Sequence, residues 1–170
     1  DAGRLQMVLD ENLECYDMTR ITNYAAFLSG LEKDDYLMIV GGDGTLNRFV
    51  NDTSGMEIPQ EIFYYPSGSG NDFAREIDTS GNPFLFTLYL KNLPSVEVKG
   101  KTYHFINGVG FGIDGYCCQV GDELKKIPGK KVNYAGIAIQ GLLFHFAARN
   151  AKVIVDGKEY IYKKVWIAPT

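Results

Sequence analysis

Residues 36–47, YLMIVGGDGTLN, decide the fold. The apolar run at 36–40 is short, follows two aspartates and precedes glycines, which is typical of a strand buried on both faces of a parallel sheet. After the glycines, Leu46, Phe49 and Val50 share one face of a helix. The stretch therefore predicts a strand, a glycine-rich loop and a helix in succession.

A second strand, loop and helix are predicted at residues 62–77. Residues 62–65, IFYY, predict a strand, and the tight loop that follows ends near Asp72, which is placed to cap a helix. Thr22 or Asn23 is likewise placed to cap an earlier helix. Two such units in succession indicate an α/β layered sheet.

The pattern changes after residues 80–83, SGNP. A helix with a wide buried face is predicted at residues 132–147. Short alternating stretches predict antiparallel strands, with turns at Gly100 and at Asp156-Gly157, and these stretches lie at 95–98, 103–106, 152–155 and 160–167. We therefore expect a domain boundary near Pro94, with one domain at 1–94 and another at 95–170.

Composition excludes some classes of function. The chain has 170 residues and a net charge of −4, which argues against sequence-independent nucleic-acid binding, because that needs a basic surface. Its cysteines, Cys15, Cys117 and Cys118, suit a reducing cytosol better than a disulfide framework. The longest apolar stretch, 134–148, falls short of the roughly 20 residues of a membrane span. We expect a soluble intracellular protein.

The loop at 41–45, GGDGT, has a composition suited to phosphate. Glycines let the backbone approach a polyphosphate closely, and the helix start supplies amide donors. Asp43 would repel bare phosphate, but it could hold Mg²⁺ against the phosphate oxygens. A glycine-rich turn with a helix-capping aspartate explains the same residues, so the residues alone leave both interpretations open. The spacing matches neither a Walker A loop nor a Rossmann fingerprint.

The loop at 66–72, PSGSGND, is a second candidate. The Ser69 hydroxyl can donate to a phosphate or a ribose, and Asp72 can cap its own helix or join Asp43 around a metal. Loops at the carboxyl ends of neighbouring parallel strands face one crevice, so the pair favours a nucleotide site. Asp114 follows three spaced glycines, and its local context indicates a turn residue.

Three motifs together resemble, in order and spacing, the catalytic region of diacylglycerol kinases, sphingosine kinases and their bacterial relatives. They are GGDGTLN at 41–47, PSGSGNDFAR at 66–75 and FINGVGFGID at 105–114. The first motif is shared with NAD kinases and, loosely, with 6-phosphofructokinases. The second, with its Asn-Asp-Phe-Ala-Arg ending, is much more specific to the lipid kinases.

The resemblance implies an α/β fold of the NAD kinase and diacylglycerol kinase type. It implies a three-layer ATP-binding domain with a parallel sheet at 1–94, whose first strand is missing, and part of a β-rich lipid-substrate domain with one long helix at 95–170. The implied activity is ATP-dependent transfer of the γ-phosphoryl group to a lipid hydroxyl, that of diacylglycerol or a related lipid. The implied location is cytoplasmic, with peripheral membrane association during turnover, and a homodimer stays open.

The resemblance also assigns roles to individual residues. Asp43, Asp72 and Asp114 fall on acidic residues that organise the catalytic Mg²⁺ through water, and we expect Asp43→Asn to abolish turnover with little change in thermal stability. Nucleotide-binding positions are Thr19, Gly41, Gly42, Asp43, Gly44, Thr45, Leu46, Asn47, Gly68, Ser69 and Asn71.

The sequence departs from the family pattern in three places. The usual opening motif, Asn-Pro-x-Ser/Ala-Gly, is missing, and Arg48 stands where glutamate is common. The general base is expected beyond Thr170, so we expect a piece of a longer enzyme that is inactive by itself. The alternatives are an NAD kinase-like enzyme with a soluble substrate and a nucleotide- or lipid-binding module without turnover.

Overall fold

The computed structural model describes residues 13–77 and 83–169, which form two units divided between Asn107 and Gly108. The first unit begins with a short 3-10 turn at Met18–Arg20. Its further elements are α1 (Tyr24–Ser29), β1 (Tyr36–Gly41), α2 (Asp43–Asp52), β2 (Glu61–Pro66), α3 (Asp72–Glu76), β3 (Phe84–Leu85), α4 (Thr87–Leu90), β4 (Ser95–Val98) and β5 (Lys101–His104).

The sheet of the first unit brings the two predicted loops to one edge. Its order is β1-β2-β3, and β1 pairs with β2 in parallel, from Tyr36 opposite Glu61 to Gly41 opposite Pro66. Both strands therefore end at the same level, and both glycine-rich loops begin there. The predicted parallel pairing is present between β1 and β2, and β3 pairs with β2 antiparallel, so the sheet is mixed.

The core of this unit lies between the sheet and α2. Leu46, Phe49 and Val50 are buried on the predicted face of α2, in one cluster with Ile39 of β1 and Ile62 of β2. Burying side chains of this size stabilises the fold by about 1.5–3 kcal/mol each. Helix α2, which follows the first glycine-rich loop, is thereby fixed on the sheet.

An aromatic cluster fixes the second loop in the same way. Phe73, in the first turn of α3, packs edge-on against Phe86 and Tyr89, with ring centroids 5.7 and 5.3 Å apart. Tyr64 of β2 packs against Phe84 at 5.6 Å. Edge-to-face pairs add about 0.5–1.5 kcal/mol to the burial of the rings. Helix α3 is only five residues long and depends on this packing for its position.

The second unit, described by itself, contains two antiparallel strand pairs and two helical segments. Its elements are β6 (Gly110–Gly112), α5 (Ile113–Lys125), α6 (Tyr134–Gln140) with a π-helical turn at Gly141–His145, β7 (Arg149–Val155), β8 (Lys158–Val165) and β9 (Ile167–Pro169). β7 pairs with β8, and β6 pairs with β9. The predicted turn at Asp156-Gly157 is confirmed, with φ of 49° and 78°.

The helix predicted at 132–147 differs from the observed one. It begins at Tyr134, changes to π geometry at Gly141 and ends at His145. Its buried positions are Ile137 and Gly141, because the missing Cβ of Gly141 admits the Tyr116 ring of α5. The predicted buried face was wrong, since Ile139 is 59% exposed and Leu143 is 67% exposed. Among the described residues, no helix has the length and apolar character to cross a membrane.

Candidate functional site

The two glycine-rich loops touch each other through their backbones. A Cβ placed on Gly68 would lie 2.5 Å from the Cα of Gly42, and a Cβ on Gly42 would lie 3.1 Å from the Cα of Gly68. Carbon atoms do not approach this closely without a shift of the backbone, so the contact requires glycine at position 68 and favours it at position 42. The structure thus joins two motifs that lie apart in the sequence.

Gly41 is where the first loop leaves β1, and its carbonyl is held twice. It accepts a hydrogen bond from the backbone N–H of Ser67 at 2.8 Å and one from the Tyr64 hydroxyl at 3.0 Å. Tyr64 is 0% exposed, and burial, together with the nearby Asp43 carboxylate, raises the pKa of its hydroxyl to about 12. The Tyr64 hydroxyl is therefore a buried donor that stays protonated while it holds the loop.

Asp43 connects the first loop to the helix of the second. Its Oδ2 accepts the backbone N–H of Asp72 at 3.0 Å, and its Oδ1 accepts the N–H of Phe73 at 3.2 Å. Asp43 therefore caps α3 and not its own helix α2, which has Gly42 at its N-cap and no side-chain cap. The sequence left open whether Asp43 caps a helix. It does, but it caps the helix that follows the second loop. Asp72 does not cap α3, because Asn71 occupies the N-cap position.

The Asp43 and Asp72 carboxylates converge. A Cβ on Gly70 would lie 3.6 Å from Asp43 Oδ2 and 3.7 Å from Asp72 Oδ2. Asp72 is exposed and forms a loose ion pair with Arg75 at 3.8 Å. The structure thus brings together two of the three carboxylates that the sequence predicted around Mg²⁺.

Asp114, the third carboxylate, lies in the second unit. It is in the first turn of α5, where a Cβ on Gly110 would stand 2.5 Å from its Oδ2, so Gly110 gives this side chain its space. The turn expected from its local context is instead the start of a helix.

The remaining residues that were predicted to bind nucleotide differ in their surroundings. Ser69 is exposed, whereas Leu46 is 0% exposed and its side chain belongs to the core, so only its backbone could face a ligand. Asn47 Oδ1 is buried and has no hydrogen-bond partner among the described residues. A Cβ on Gly41 would collide with the Thr45 side chain at 2.6 Å, so these two residues are matched to each other.

Thr19 has a local partner. Its hydroxyl donates to Asp17 Oδ1 at 2.7 Å and its backbone N–H donates to the same atom at 3.0 Å. These hydrogen bonds, first of all the one from the hydroxyl, hold the pKa of Asp17 below its ordinary value. The Thr19 side chain is exposed and serves the 3-10 turn in this structure.

Gly44 is unlike the other loop glycines, because the fold does not need it. It lies in the first turn of α2, and a Cβ there would meet nothing within 4 Å. The amides of Thr45 and Leu46 donate to the Gly42 carbonyl at 3.0 and 3.1 Å, whereas the Gly44 amide donates to no group in the described part of the chain. The positive end of the α2 dipole therefore faces open space at Gly44.

The acidic pair fits hydrated Mg²⁺ in its chemistry. Carboxylates are the oxygen ligands that this ion prefers, and it usually keeps several waters. A carboxylate offers about four acceptor positions, and the two amides of α3 leave Asp43 with capacity for metal-bound water. Within residues 13–77 and 83–169, no three His, Cys, Asp or Glu side chains are grouped to hold a metal directly.

Two supporting residues were missed in the sequence. Tyr64 reads as an ordinary strand residue, and Asn51 reads as a polar residue near a helix end. Asn51 Oδ1 accepts from the His104 N–H and its Nδ2 donates to the His104 carbonyl, both at 2.9 Å, which ties β5 to α2. A single sequence contains no signal for either pairing, since the partners are 23 and 53 residues away.

A family of known proteins matches the part of the chain that contains both loops. Residues 4–94 match the family model described as "Diacylglycerol kinase catalytic domain". The chain belongs to this family. The resemblance read from the three motifs is thus confirmed, and the two joined loops both lie within the matched part of this diacylglycerol kinase-family chain.

Curated relatives of this diacylglycerol kinase-family chain carry matching names. A Bacillus subtilis protein named "Putative lipid kinase YtlR" is 30% identical over 91 residues, 47% of this chain and 29% of that protein. A Staphylococcus haemolyticus protein with the same description is 30% identical over 114 residues, 64% of this chain and 36% of that protein. The aligned part thus spans about a third of these relatives. No solved structure matches the chain.

Proposed function

We propose that this chain is the nucleotide-binding part of an ATP-dependent lipid kinase. The enzyme transfers the γ-phosphoryl group of ATP to the hydroxyl of diacylglycerol or a related lipid at a membrane surface. The observation that carries the proposal is the backbone contact between Gly42 and Gly68, bridged by the Asp43 carboxylate. This contact joins the two loops at the carboxyl ends of the parallel strands, where α/β sheets bind ligands.

The phosphates of ATP would bind at the start of α2. The Gly44 amide has no partner in the described residues, and the space in front of it is open. Glycine inside a helix costs about 0.5–1 kcal/mol relative to alanine, and no contact in this fold compensates for it. Close approach of a ligand backbone or phosphate supplies the missing reason for glycine at this position.

Asp43 and Asp72 would hold Mg²⁺ through water. When bound, the metal neutralises the charge that develops on the phosphate oxygens. Asp43 is already fixed by two amide hydrogen bonds, so its carboxylate need not reorganise when the metal and nucleotide arrive. Asp72 is exposed beside it and is free to bind water.

The lipid substrate is favoured over a soluble one by the names of the relatives. The GGDGT loop is shared with NAD kinases and does not discriminate between substrates. The curated relatives from Bacillus and Staphylococcus are described as lipid kinases, and the family model is that of diacylglycerol kinases. For the intact protein we propose cytoplasmic residence with peripheral membrane binding.

Gly44→Ala tests the nucleotide site with little risk to the fold. The added Cβ meets nothing within 4 Å, so the free energy of unfolding should stay equal or rise by about 0.5–1 kcal/mol. ATP affinity should fall roughly 10–100-fold, because the added methyl group occupies the space in front of the Gly44 amide and keeps a phosphate oxygen from making this hydrogen bond. Equilibrium dialysis with labelled ATP and urea unfolding measure the two effects.

Gly30→Ala is the matched control. Gly30 ends α1 outside both loops, and its Cβ would meet only Phe27 and Ala26 carbonyl oxygens, at 3.4 and 3.7 Å. This variant should leave ATP affinity unchanged. If Gly44→Ala bound ATP as tightly as Gly30→Ala, the nucleotide would not sit at the start of α2.

A further inference from the structure

Asn71 uses its whole side-chain amide on the loop that precedes it. Its Oδ1 accepts the backbone N–H of Gly68 at 2.9 Å, and its Nδ2 donates to the Gly68 carbonyl at 2.8 Å. The backbone N–H and C=O of Gly68 are thus both hydrogen-bonded by one side chain, as they would be by a neighbouring β-strand. Asparagine has the length and the paired donor and acceptor for this.

The Asn71 side chain and the first loop both lie where a Cβ of residue 68 would be. A Cβ on Gly68 would lie 2.8 Å from Asn71 Oδ1 and 2.5 Å from the Cα of Gly42. The hydrogen bonds with Asn71 therefore hold Gly68 at the place where it contacts the GGDGT loop. Among the described residues the Gly68 peptide makes no other hydrogen bond, so its position depends on that side chain.

The backbone of Asn71 has a second effect. Its φ of 55° and ψ of 45° lie in the left-handed region, which asparagine tolerates better than most residues. This conformation turns the chain into α3, so that the next two amides, those of Asp72 and Phe73, point at the Asp43 carboxylate. One residue thereby sets both contacts between the loops.

We propose that Asn71 is a positioning residue that preorganises the two loops before the nucleotide binds. It acts through Gly68 and does not touch ATP, in contrast to the ligand role that the family resemblance implies for it. The importance of the loops for phosphoryl transfer rests on the proposed function, but the restraint of Gly68 does not.

Two substitutions separate the parts of this role. Asn71→Gly keeps access to the left-handed conformation and removes the amide, whereas Asn71→Asp keeps the acceptor for the Gly68 N–H and removes the donor. Amide hydrogen exchange, followed by NMR on the nucleotide-free chain, reports the Gly68 N–H directly. Exchange at Gly68 should be roughly 5–10-fold faster in Asn71→Gly, which loses both hydrogen bonds, and less affected in Asn71→Asp, which loses only the bond to the Gly68 carbonyl and keeps an acceptor for the Gly68 N–H.

The Asn51–His104 pair supplies an internal control. The His104 N–H donates to Asn51 Oδ1 at 2.9 Å, a bond of the same kind in the same unit. Its exchange should stay constant in Asn71→Gly, which excludes a general loss of stability. Asn51→Ala should show the reverse, with faster exchange at His104 and unchanged exchange at Gly68.

ATP binding completes the test. Affinity for ATP should fall in Asn71→Gly, because the loops must be ordered at the moment of binding. Unchanged Gly68 exchange in nucleotide-free Asn71→Gly, together with weaker ATP binding, would show direct contact with the nucleotide and overturn the proposal. If the wild-type chain failed to bind ATP while Gly68 exchange responded as expected, the positioning role would stand and the proposed function would fail.

Discussion

Single side chains hold the glycine-rich loops in place, and Tyr64 is the most deeply buried of them. Its ring lies in the aromatic cluster beneath the sheet edge, and its hydroxyl reaches the Gly41 carbonyl at 3.0 Å. Burying a hydroxyl is costly unless it is hydrogen-bonded, so the bond to Gly41 offsets the cost of placing tyrosine in the core. The same bond fixes the point at which the first loop leaves β1.

Tyr64→Phe should reveal this bond through the pH dependence of stability. The hydroxyl has a pKa of about 12 in the fold and an ordinary value of 10.0 when unfolded, so the unfolded chain loses its proton first as pH rises. The stabilisation of the fold by the protonated hydroxyl is complete below pH 10. Between pH 10 and about 12 it is lost, which lowers the free energy of unfolding by up to about 3 kcal/mol.

Urea unfolding of wild type and Tyr64→Phe from pH 8 to pH 11.5 measures this difference. Below pH 10 the variant should be less stable by about 0.5–1.5 kcal/mol, because one hydrogen bond is missing. Above pH 10 the two stability curves should converge, since only the wild type has this proton to lose. Curves that stay parallel across the whole range would contradict the buried role of the hydroxyl.

The sequence predicted the two glycine-rich loops, but not the side chains that hold them in place. Glycines and aspartates at 41–45 and 66–72 pointed to a phosphate site, because their composition limits what they can bind. The pairings of Tyr64 with Gly41 and of Asn51 with His104 depend on the twist and spacing of β-strands, which local sequence does not encode. The family resemblance named both Asn71 and Gly68, but not the hydrogen bonds between them.

The two strand–loop–helix segments are coupled by Asp43. From the sequence, each segment could be predicted by itself, and their succession along the chain indicated an α/β layered sheet. What could not be predicted is that the acid of the first loop caps the helix of the second. As a result, the carboxylate that was predicted either to hold Mg²⁺ or to cap its own helix connects α2 to α3.

Asp43→Asn should therefore destabilise the fold, contrary to the expectation from the sequence. An asparagine amide can accept only one of the two N–H groups of Asp72 and Phe73 and places its NH₂ against the other. The free energy of unfolding should fall by roughly 1.5–3 kcal/mol, the worth of a hydrogen bond to a charged group.

Asp72→Asn is the control for this substitution. Asp72 is exposed and its ion pair with Arg75 at 3.8 Å is loose, so its loss should cost less than about 1 kcal/mol. Urea unfolding at pH 7 compares the two variants. Equal stability of Asp43→Asn and Asp72→Asn would mean that the contacts of Asp43 with α3 do not hold the loops together.

The second unit was harder to predict from pattern alone. The antiparallel strands near 95–104 and 149–165 were predicted because alternation and turn residues are local signals. Helix α5 was missed, because its glycines at 115 and 121 and its polar positions hide the helical period. The buried face predicted for the helix at 132–147 was wrong. Burial there is set by the close packing of α5 against Gly141, and not by the number of apolar side chains.

The chain as a whole combines an established family with a proposed activity. Residues 4–94 belong to the diacylglycerol kinase catalytic domain, and the chain spans about a third of the length of the curated relatives. The two glycine-rich loops and the acidic pair Asp43 and Asp72 all lie in that matched part. Under the proposed function, a full-length protein that contains this chain uses ATP to phosphorylate a lipid.

Phosphoryl transfer by that full-length protein is the most direct measurement. It would be incubated with γ-³²P-labelled ATP and Mg²⁺, and offered either vesicles containing diacylglycerol or soluble NAD, with Gly44→Ala and Gly30→Ala in parallel. We predict a labelled lipid phosphate from wild type and Gly30→Ala, with little from Gly44→Ala. Labelled NADP without labelled lipid would contradict the lipid substrate, and no transfer to either acceptor would contradict the kinase activity itself.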